Sequence, residues 1–329
     1  MVVPVVKQWL DQHPQLTVTV VSTSFAAPLF QSIPRCHFVG ADLKGKHSGL
    51  FGLYRLYKEI REQTGNALVA DLHQVLRTAI LKFFFRLSGH TIATIDKGRK
   101  EKRLLTSKKN KVKSILKLQH ERYADVFRAL GFQGELDPNE KTLNPNHSVV
   151  DPNFSFSDGK INIGVAPFAK HLGKCYPTEK MKALLQLLKD EGYRIFLFGG
   201  GEKEIETLRL WVGDLGEDTF MVAGKYPFSI ELEWIASMDL MVTMDSANMH
   251  LASLFSIPVV SIWGATHPDA GFMGFGQSKE NAVSLELSCS PCSVFGNKPC
   301  WRGDYACMNQ LEPRQIFLAI SSSALKFRK

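Results

Sequence analysis

The sequence predicts an α/β protein in which two domains each alternate strands and helices. Short apolar runs of strand length alternate with longer segments of helical period over most of the 329 residues, as expected for parallel sheets covered by helices. The stretch 133–159 interrupts this alternation and is rich in Pro, Gly, Asn, Asp and Ser, which is typical of a linker region. The chain is also long enough to bury two cores of ordinary domain size.

The first domain is predicted to span residues 1–140, and apolar periodicity assigns its elements in order. We expect a helix at 4–12 with Pro in its first turn, a strand at 16–21, a helix at 50–63, a strand at 67–71, a helix at 75–87 and a strand at 90–95. A basic stretch follows these elements. The same periodicity predicts a long helix over 108–130, ended by Gly131.

The second domain is predicted to span residues 160–329, after a linker at 141–159. We expect strands at 161–165, 193–198, 220–222, 240–243 and 258–263, with helices at 178–191, 202–212, 230–237 and around 249–255. A Gly-Gly-Gly turn follows the second of these strands. The regular alternation favours a parallel sheet.

Residues 241–268 are predicted to form one strand, helix and strand, with polar loops after both strands. Ligands of open α/β sheets bind at these carboxyl ends. We expect Asp245 to be the N-cap of the helix, with its carboxylate accepting a backbone N–H near Asn248. The remaining free N–H groups would suit a phosphate. From the spacing alone, a purely structural role in which Asp245 caps and His250 packs is equally consistent.

Composition excludes several classes of protein. The 44% apolar content is that of a globular protein, and no apolar run approaches the ~18 residues that a membrane-spanning helix requires. The N-terminal sequence MVVPVVKQWLDQ has no basic region followed by a long apolar region, so we expect no cleaved secretory signal. We therefore expect a cytoplasmic protein, and we expect it to be monomeric.

The net charge of +8 is concentrated in residues 97–117, where ten Lys or Arg accompany one Glu. Such a cluster attracts an anionic membrane surface, an acidic glycolipid or nucleic acid. Because no aromatic interleaving and no nucleic-acid-binding motif accompany it, we expect no nucleic acid partner. We expect peripheral association with the inner face of the cytoplasmic membrane. A solvated charged surface is the alternative.

The runs D-S-A-N-M-H-L-A-S and P-V-V-S-I-W-G-A-T-H-P within 245–268 closely resemble the signature of the lipopolysaccharide heptosyltransferases, glycosyltransferase family 9. This resemblance implies the GT-B architecture, in which two Rossmann-like domains face each other across a cleft. It implies transfer of heptose from ADP-heptose to a lipopolysaccharide-core acceptor. The donor-binding residues that it implies are Asp245, Ser246, Ala247, Asn248, Met249 and His250. Ala247 replaces the family's usual glycine and adds a methyl group near the donor.

Two further segments resemble donor-site elements of the family. Residues 174–177, K-C-Y-P, resemble its K-x-W-P element, which implies that Lys174 lies beside the donor diphosphate, where a fixed cation offsets charge on the leaving group. The segment that starts at Gly199 resembles the family's G-G-x-x-E element, which implies that Gly199 is a donor-binding residue where the backbone comes close to the ligand. It implies a carboxylate that accepts from ribose hydroxyls, and we favour Glu202 for this role, with Glu204 second.

The acceptor side and the catalytic base follow from weaker likenesses. Residues 71–78, D-L-H-Q-V-L-R-T, resemble an element at the rim of the acceptor cleft, which implies that Arg77 contacts the acceptor. In the family an Asp in a Gly-Asp-Val loop activates the acceptor hydroxyl for inverting attack. Pro4 matches the proline that follows that loop. We therefore expect the base and the first strand ahead of Met1, with Met1 an internal methionine of a longer protein.

No metal is required for this chemistry, because a helix N-terminus and a lysine stabilise the leaving diphosphate. A structural metal is a separate question. The cysteines Cys289, Cys292, Cys300 and Cys307 lie within 19 residues and begin with a C-x-x-C pair, which suits a four-cysteine zinc site in a reducing compartment. Free or redox-active thiols are the alternative. Cys36 and Cys175 are solitary in the sequence.

Two other classes of function remain open at this point. A GT-B sugar epimerase or phosphorylase would need acid and base residues that the sequence does not identify. A nucleotide-sugar-binding pseudoenzyme is consistent with a chain in which the family's base is not found.

Overall fold

A computed structural model of the protein describes residues 1–145, 156 and 159–324. The chain folds into two compact units. The first comprises Met1–Gly98 and Lys117–Asp137, and the second comprises Arg99–Leu116 and Pro138–Lys329. The basic segment 99–116, which sequence analysis assigned to the first domain, therefore packs within the second unit. Most of the predicted linker, 141–159, lies outside the described residues, and the predicted boundaries stay predictions.

Up to residue 137 the chain forms five helices and four strands that follow one another in near alternation. They are α1 (Val3–Gln12), β1 (Val18–Ser22), β2 (Cys36–Gly40), α2 (Gly49–Thr64), β3 (Val69–Asp71), α3 (Leu76–Leu87), β4 (Ile92–Thr94), α4 (Arg99–Leu105) and α5 (Gln119–Ala129). Of these, α4 belongs to the second unit. Each of these elements except β2 and α4 is predicted by the sequence.

The strands of the first unit form two separate parallel pairs, β1 with β2 and β3 with β4. These strands are mostly half-buried. One apolar cluster, which includes Val39 on β2, Leu56 on α2, Phe85 on α3 and Ile92 on β4, contacts both pairs. The helices α2 and α3 therefore hold the two pairs in one unit.

Helix α1 is buried on nearly all sides, since Val3, Val5, Val6, Trp9 and Leu10 are all almost fully inaccessible to solvent. The Trp9 ring lies 5.7 Å from the Phe127 ring of α5. Its indole N–H donates to the Phe132 carbonyl at 3.0 Å. The helix thus joins the two chain segments of the first unit.

The second unit contains one six-stranded sheet and the helices that cover it. Its further elements are β5 (Asn162–Ala166), α6 (Thr178–Asp190), β6 (Arg194–Leu197), α7 (Glu202–Leu215), β7 (Thr219–Met221), α8 (Phe228–Ala236), β8 (Leu240–Met244), α9 (Ala247–Leu254), β9 (Val259–Ile262), β10 (Ala282–Val283), α10 (Ala306–Asn309) and α11 (Pro313–Ala324). The predicted α/β class is therefore confirmed.

All strand pairs of this sheet are parallel, and the strand order is β10-β9-β8-β5-β6-β7. Strands β5, β6, β8 and β9 are buried along their whole length, as expected for a parallel sheet with both faces covered. From β5 the chain adds strands on one side, and from β8 it adds them on the other. The carboxyl ends of β5 and β8 therefore flank a topological switch point, where ligands of such sheets bind.

The predicted long helix over 108–130 is wrong in its first half, because helix α5 begins only at Gln119. Two reasons account for the difference. Lys109, Lys113 and Lys117 are spaced four residues apart, so that a helix would stack like charges on one face. In addition, Lys111 donates to the carbonyls of Cys289 and Pro291 at 2.7 and 2.6 Å. These tertiary contacts hold the segment in a non-helical conformation.

Among the described residues, no helix combines the length and the apolar character needed to cross a membrane.

The turn between β3 and α3 is organised by the buried carboxylate of Asp71. It accepts the backbone N–H groups of His73 and Gln74 at 3.1 and 2.8 Å. It also pairs with the Lys82 ammonium at 2.7 Å. Burial alone would raise the pKa of Asp71, but the Lys82 hydrogen bond and the two backbone N–H groups outweigh it and lower the pKa.

We predict that Asp71→Asn lowers the free energy of unfolding by about 3 kcal/mol at pH 7, because the Lys82 ammonium would lose its buried partner. Since the folded-state pKa lies below the unfolded value of about 3.9, the ionised carboxylate stabilises the protein above about pH 4, and this contribution is lost as the pH falls through the folded-state pKa. Urea denaturation at several pH values measures both effects.

The control is Asp11→Asn, which removes an exposed ion pair with Lys7 on α1 and should cost less than about 0.5 kcal/mol. Equal losses for the two variants, or a loss at Asp71 that does not shrink as the solution is made progressively more acidic, would contradict the account.

Candidate functional site

The switch point of the six-stranded sheet carries a buried ion pair. Lys174 ends a 3₁₀ turn, Leu172–Lys174, in the loop that follows β5, and Asp245 directly follows β8. The Lys174 ammonium lies 2.7 Å from an Asp245 carboxylate oxygen, and both side chains are largely shielded from solvent. The two strands are adjacent in the sheet. The fold thus brings together the two residues that the sequence singled out from separate motifs.

Asp245 is not the N-cap of helix α9, so this prediction is wrong. The N-cap is Ser246, and its side chain makes no capping hydrogen bond. The carboxylate of Asp245 is drawn to Lys174 instead, because an unpaired buried carboxylate would cost several kcal/mol. As a result, the N-terminal N–H groups of α9 have no side-chain cap. Such groups bind anions readily.

Several hydroxyl groups near the ends of β8 and β9 are buried. Among the described residues, the side-chain oxygens of Thr243, Ser246 and Thr266 are buried and have no hydrogen-bond partner. An unsatisfied buried hydroxyl costs about 1–3 kcal/mol. Polar atoms of a ligand could satisfy those of Ser246 and Thr266, which lie in the loops at the carboxyl ends of the strands.

The first turns of α9 carry the other predicted donor-binding residues of this motif. Ala247 is the first residue of the helix and is exposed, while Asn248 and His250 are half-buried and Met249 is buried. Met249 therefore packs in the core rather than facing solvent.

The glycine turn after β6 is closed by a carboxylate of helix α7. The Glu204 side chain accepts the Gly200 N–H at 2.9 Å. A Cβ atom on Gly199 would lie 3.1 Å from Leu208 and 3.3 Å from the Glu204 carboxylate, so this position favours glycine. Glu202, at the start of α7, is exposed. The Glu204 carboxylate thus holds the turn, and the Glu202 carboxylate faces solvent. Their roles toward a ribose stay predictions.

The cysteine-rich segment, 289–307, supports the Lys174 loop. The carbonyl of Gly296 accepts the Gly173 N–H, and the carbonyl of Gly173 accepts the Ala265 N–H. The carbonyl of Ala265 in turn accepts the N–H groups of Cys292 and Ser293. A Cβ atom on Gly296 would lie only 2.6 Å from Cγ of Lys174. The loops after β5 and β9 are therefore fixed by this segment, a contribution that sequence analysis did not identify.

The four cysteines of this segment line one pocket together with Trp301, Arg302 and Tyr305. Burial raises the pKa of Cys307 to about 11. At Cys300 burial alone would raise the pKa, but backbone hydrogen bonds from Tyr305, Arg302 and Gly303 together outweigh it and lower the pKa. Among the described residues, no group of three or more His, Cys, Asp or Glu side chains is arranged to hold a metal ion. The predicted zinc site stays a prediction.

The basic segment 99–116 packs against this same part of the molecule. Lys102 is buried with its ammonium 4.3 Å from the Phe272 ring, and that of Lys108 lies 4.4 Å from the Trp301 ring. Lys111 binds the two carbonyls described above. Three of its cations thus make specific contacts within the second unit, and the segment is not simply a solvated charged surface.

In the first unit, Arg77 lies in the first turn of α3 and is exposed. Its position depends on the turn that Asp71 organises, since the Thr78 hydroxyl also donates to Asp71 at 3.2 Å. Asp71 is part of the 71–78 motif, but its role in this turn was not predicted from the sequence. The sequence feature that could have indicated this role is a carboxylate at the end of a strand, followed by Thr78 and Lys82 at helical spacing.

Comparison with known proteins identifies the family. The model of glycosyltransferase family 9 (heptosyltransferase) matches residues 53–299. The chain is 30% identical over 168 residues to lipooligosaccharide heptosyltransferase 2 of Campylobacter jejuni, with 48% of this chain and 50% of that protein covered. It therefore spans about half the length of this curated relative. The corresponding Haemophilus influenzae enzyme is 26% identical over 278 residues, with coverage of 78% and 77%.

Among solved structures, the Escherichia coli ADP-heptose lipopolysaccharide heptosyltransferase II has a TM-score of 0.70 at 18% identity, with 99% of this chain and 95% of that chain covered. At this identity the likeness shows the fold, and it supports the predicted GT-B class.

We predict that the chain binds ADP beside Lys174 and that Gly296→Ala weakens this binding about tenfold or more, because the added methyl group displaces the Lys174 side chain and small misplacements of a binding group are costly. Isothermal titration calorimetry measures the affinity. Gly303→Ala is the matched control. Both glycines have positive φ, at 72° and 85°, so both variants lose about 1–3 kcal/mol of stability, but a Cβ atom on Gly303 meets nothing within 4 Å. Equal ADP affinities in the two variants would refute the proposed contact between the Lys174 side chain and ADP.

Proposed function

This chain belongs to glycosyltransferase family 9, and from that premise we propose that it is an inverting glycosyltransferase that moves heptose from ADP-heptose to a lipopolysaccharide-core or related glycolipid acceptor. The observation that carries the proposal is the Lys174–Asp245 ion pair at the switch point of the second unit. A lysine ammonium beside uncapped helix N–H groups suits a diphosphate. The similar Escherichia coli protein is named for ADP-heptose.

In this mechanism the donor diphosphate binds over the first turn of α9 and attracts the Lys174 ammonium. Because the ammonium then interacts less closely with Asp245, the Asp245 carboxylate accepts hydrogen bonds from hydroxyls of the donor. Ser246 and His250 line the pocket in which the donor binds. These contacts stabilise negative charge on the leaving diphosphate as the bond to the anomeric carbon breaks.

The acceptor hydroxyl attacks the anomeric carbon from the opposite face, which inverts its configuration, and ADP leaves. A general base takes the proton of the attacking hydroxyl. No described residue is assigned this role. Arg77, exposed at the start of α3, would contact an anionic group of the acceptor. We propose that the protein acts in the cytoplasm as a monomer, and that neither a catalytic metal nor nucleic acid takes part.

The direct test is release of ADP from ADP-heptose in the presence of a lipopolysaccharide-core acceptor. We predict that Lys174→Met lowers the transfer rate about 10²-fold, because one fixed charge on the leaving group is lost. Since the variant leaves Asp245 buried without its partner, Lys174→Met/Asp245→Asn is measured beside it to separate rate from stability.

Lys182→Met is the matched control, since Lys182 forms an exposed ion pair with Asp214. Its rate should equal that of the native protein. A native rate in folded Lys174→Met protein would leave Lys174 without a role in transfer. ADP binding without any transfer would instead support a nucleotide-sugar-binding protein that does not catalyse transfer.

We also propose that the four cysteines bind a structural zinc ion. Their common pocket and the C-x-x-C spacing support this, although their present arrangement does not form a metal site. The thiols would have to draw together, and no step of the transfer reaction depends on the metal.

Metal analysis of protein purified without chelator should therefore find about one zinc per chain, and Cys289→Ser/Cys300→Ser should abolish it. Cys36→Ser serves as control, because Cys36 lies in the other unit. Metal-free protein with four freely titrating thiols would overturn the zinc proposal and favour free thiols.

A further inference from the structure

Helix α3 exposes an apolar stripe on its outer face. Leu76, Phe83 and Leu87 recur at helical spacing, and they are 78%, 57% and 72% exposed. On the opposite face Phe85 is buried in the core, and Lys82 pairs with Asp71. Both faces of α3 therefore carry large apolar side chains, whereas a surface helix ordinarily has one apolar stripe, directed to the core.

The stripe continues onto helix α2 through a row of aromatic rings. The ring centroids of Phe83 and Phe84 are 5.8 Å apart, and those of Phe84 and Tyr54 are 5.2 Å apart. One turn before Tyr54, Phe51 is 90% exposed and Leu50 is 59% exposed. We call this surface the α2–α3 patch; its residues are Leu50, Phe51, Tyr54, Leu76, Phe83 and Leu87. A contiguous exposed apolar surface of this kind marks an interaction site.

Cations border the patch. Arg77 and Arg86 lie on the two sides of the α3 stripe, and both are exposed. On α2, Arg55 is exposed, and the Lys58 ammonium lies 5.5 Å from the Tyr54 ring. Helix α3 contains no acidic residue.

The acids of α2 lie toward its C-terminal half, where Glu59 is engaged by Lys46 and His47. An apolar stripe between basic side chains is the pattern of helices that lie in a membrane interface.

We propose that the α2–α3 patch docks the protein on an anionic lipid bilayer, with its apolar side chains at the level of the acyl chains and its cations among the headgroups. The positive charge around the patch favours an anionic bilayer over a second copy of this chain as the partner. A two-fold contact through the patch would bring Arg77, Arg86 and Lys58 of one copy against the same cations of the other. Anionic headgroups neutralise these cations instead.

This surface differs from the basic segment 99–116, where Lys102, Lys108 and Lys111 make contacts within the second unit. The inference goes beyond the proposed transfer reaction, because it requires no donor or acceptor. It has one consequence for that reaction. Arg77, the predicted acceptor contact, borders the patch, so docking would place it at the lipid surface where a lipid-linked acceptor is held.

The test is co-sedimentation with vesicles of phosphatidylcholine alone and with 30% phosphatidylglycerol. We expect the native protein to bind the anionic vesicles, with affinity falling as salt is raised. Phe83→Ser/Leu87→Ser should weaken this binding about tenfold or more, because two exposed apolar side chains no longer insert. Arg55→Gln/Arg86→Gln should weaken it on anionic vesicles only. ADP affinity should be unchanged in both, which separates this proposal from the donor site.

Leu210→Ser/Leu318→Ser is the matched control, since these leucines of the second unit are 65% and 57% exposed. It should bind as the native protein does. The proposal is overturned by any of three results: native protein that does not bind, binding that Phe83→Ser/Leu87→Ser leaves intact, or binding lost in Lys109→Gln/Lys113→Gln instead. Concentration-dependent dimers that Phe83→Ser/Leu87→Ser abolishes, without vesicle binding, would assign the patch to a second copy.

Discussion

The ion pair between Lys174 and Asp245 is the interaction on which the site in the second unit depends. Both charges are largely buried at the carboxyl ends of β5 and β8, and each is tolerated there because the other is present. The pair exists because strand order reverses between these two strands, so that loops from distant parts of the sequence meet. A ligand with its own negative charge can compete with Asp245 for the ammonium. We therefore propose that the ion pair is a preformed anion site closed by a carboxylate.

The loops that carry this pair are held by a segment far along the chain. The cysteine-rich segment hydrogen-bonds the loops after β5 and β9, and Gly296 leaves room for the Lys174 side chain. The same segment receives Lys111 through the carbonyls of Cys289 and Pro291. These hydrogen bonds therefore join the basic segment, the cysteine-rich segment and the Lys174 loop into one connected structure.

Local patterns in the sequence predicted the strand, helix and strand of 241–268 and most other elements, because apolar periodicity reports which face of an element is buried. They failed where tertiary contacts decide. Asp245 was expected to cap α9, but Lys174 competes for its carboxylate. The helix predicted over 108–130 begins only at Gln119, because the hydrogen bonds of Lys111 hold the preceding segment in a non-helical conformation. Strand β2 was missed, since five residues without regular alternation give little signal. Gly296 could not be assigned a role, because nothing in the sequence relates it to Lys174.

A crystal structure of the protein with ADP bound tests the central claim most directly. The account predicts that the diphosphate lies over the first turn of α9 and that the Lys174 ammonium has moved to within about 3 Å of a phosphate oxygen, with the distance to Asp245 increased. A diphosphate bound elsewhere, or a Lys174 that still contacts Asp245 alone, would contradict it.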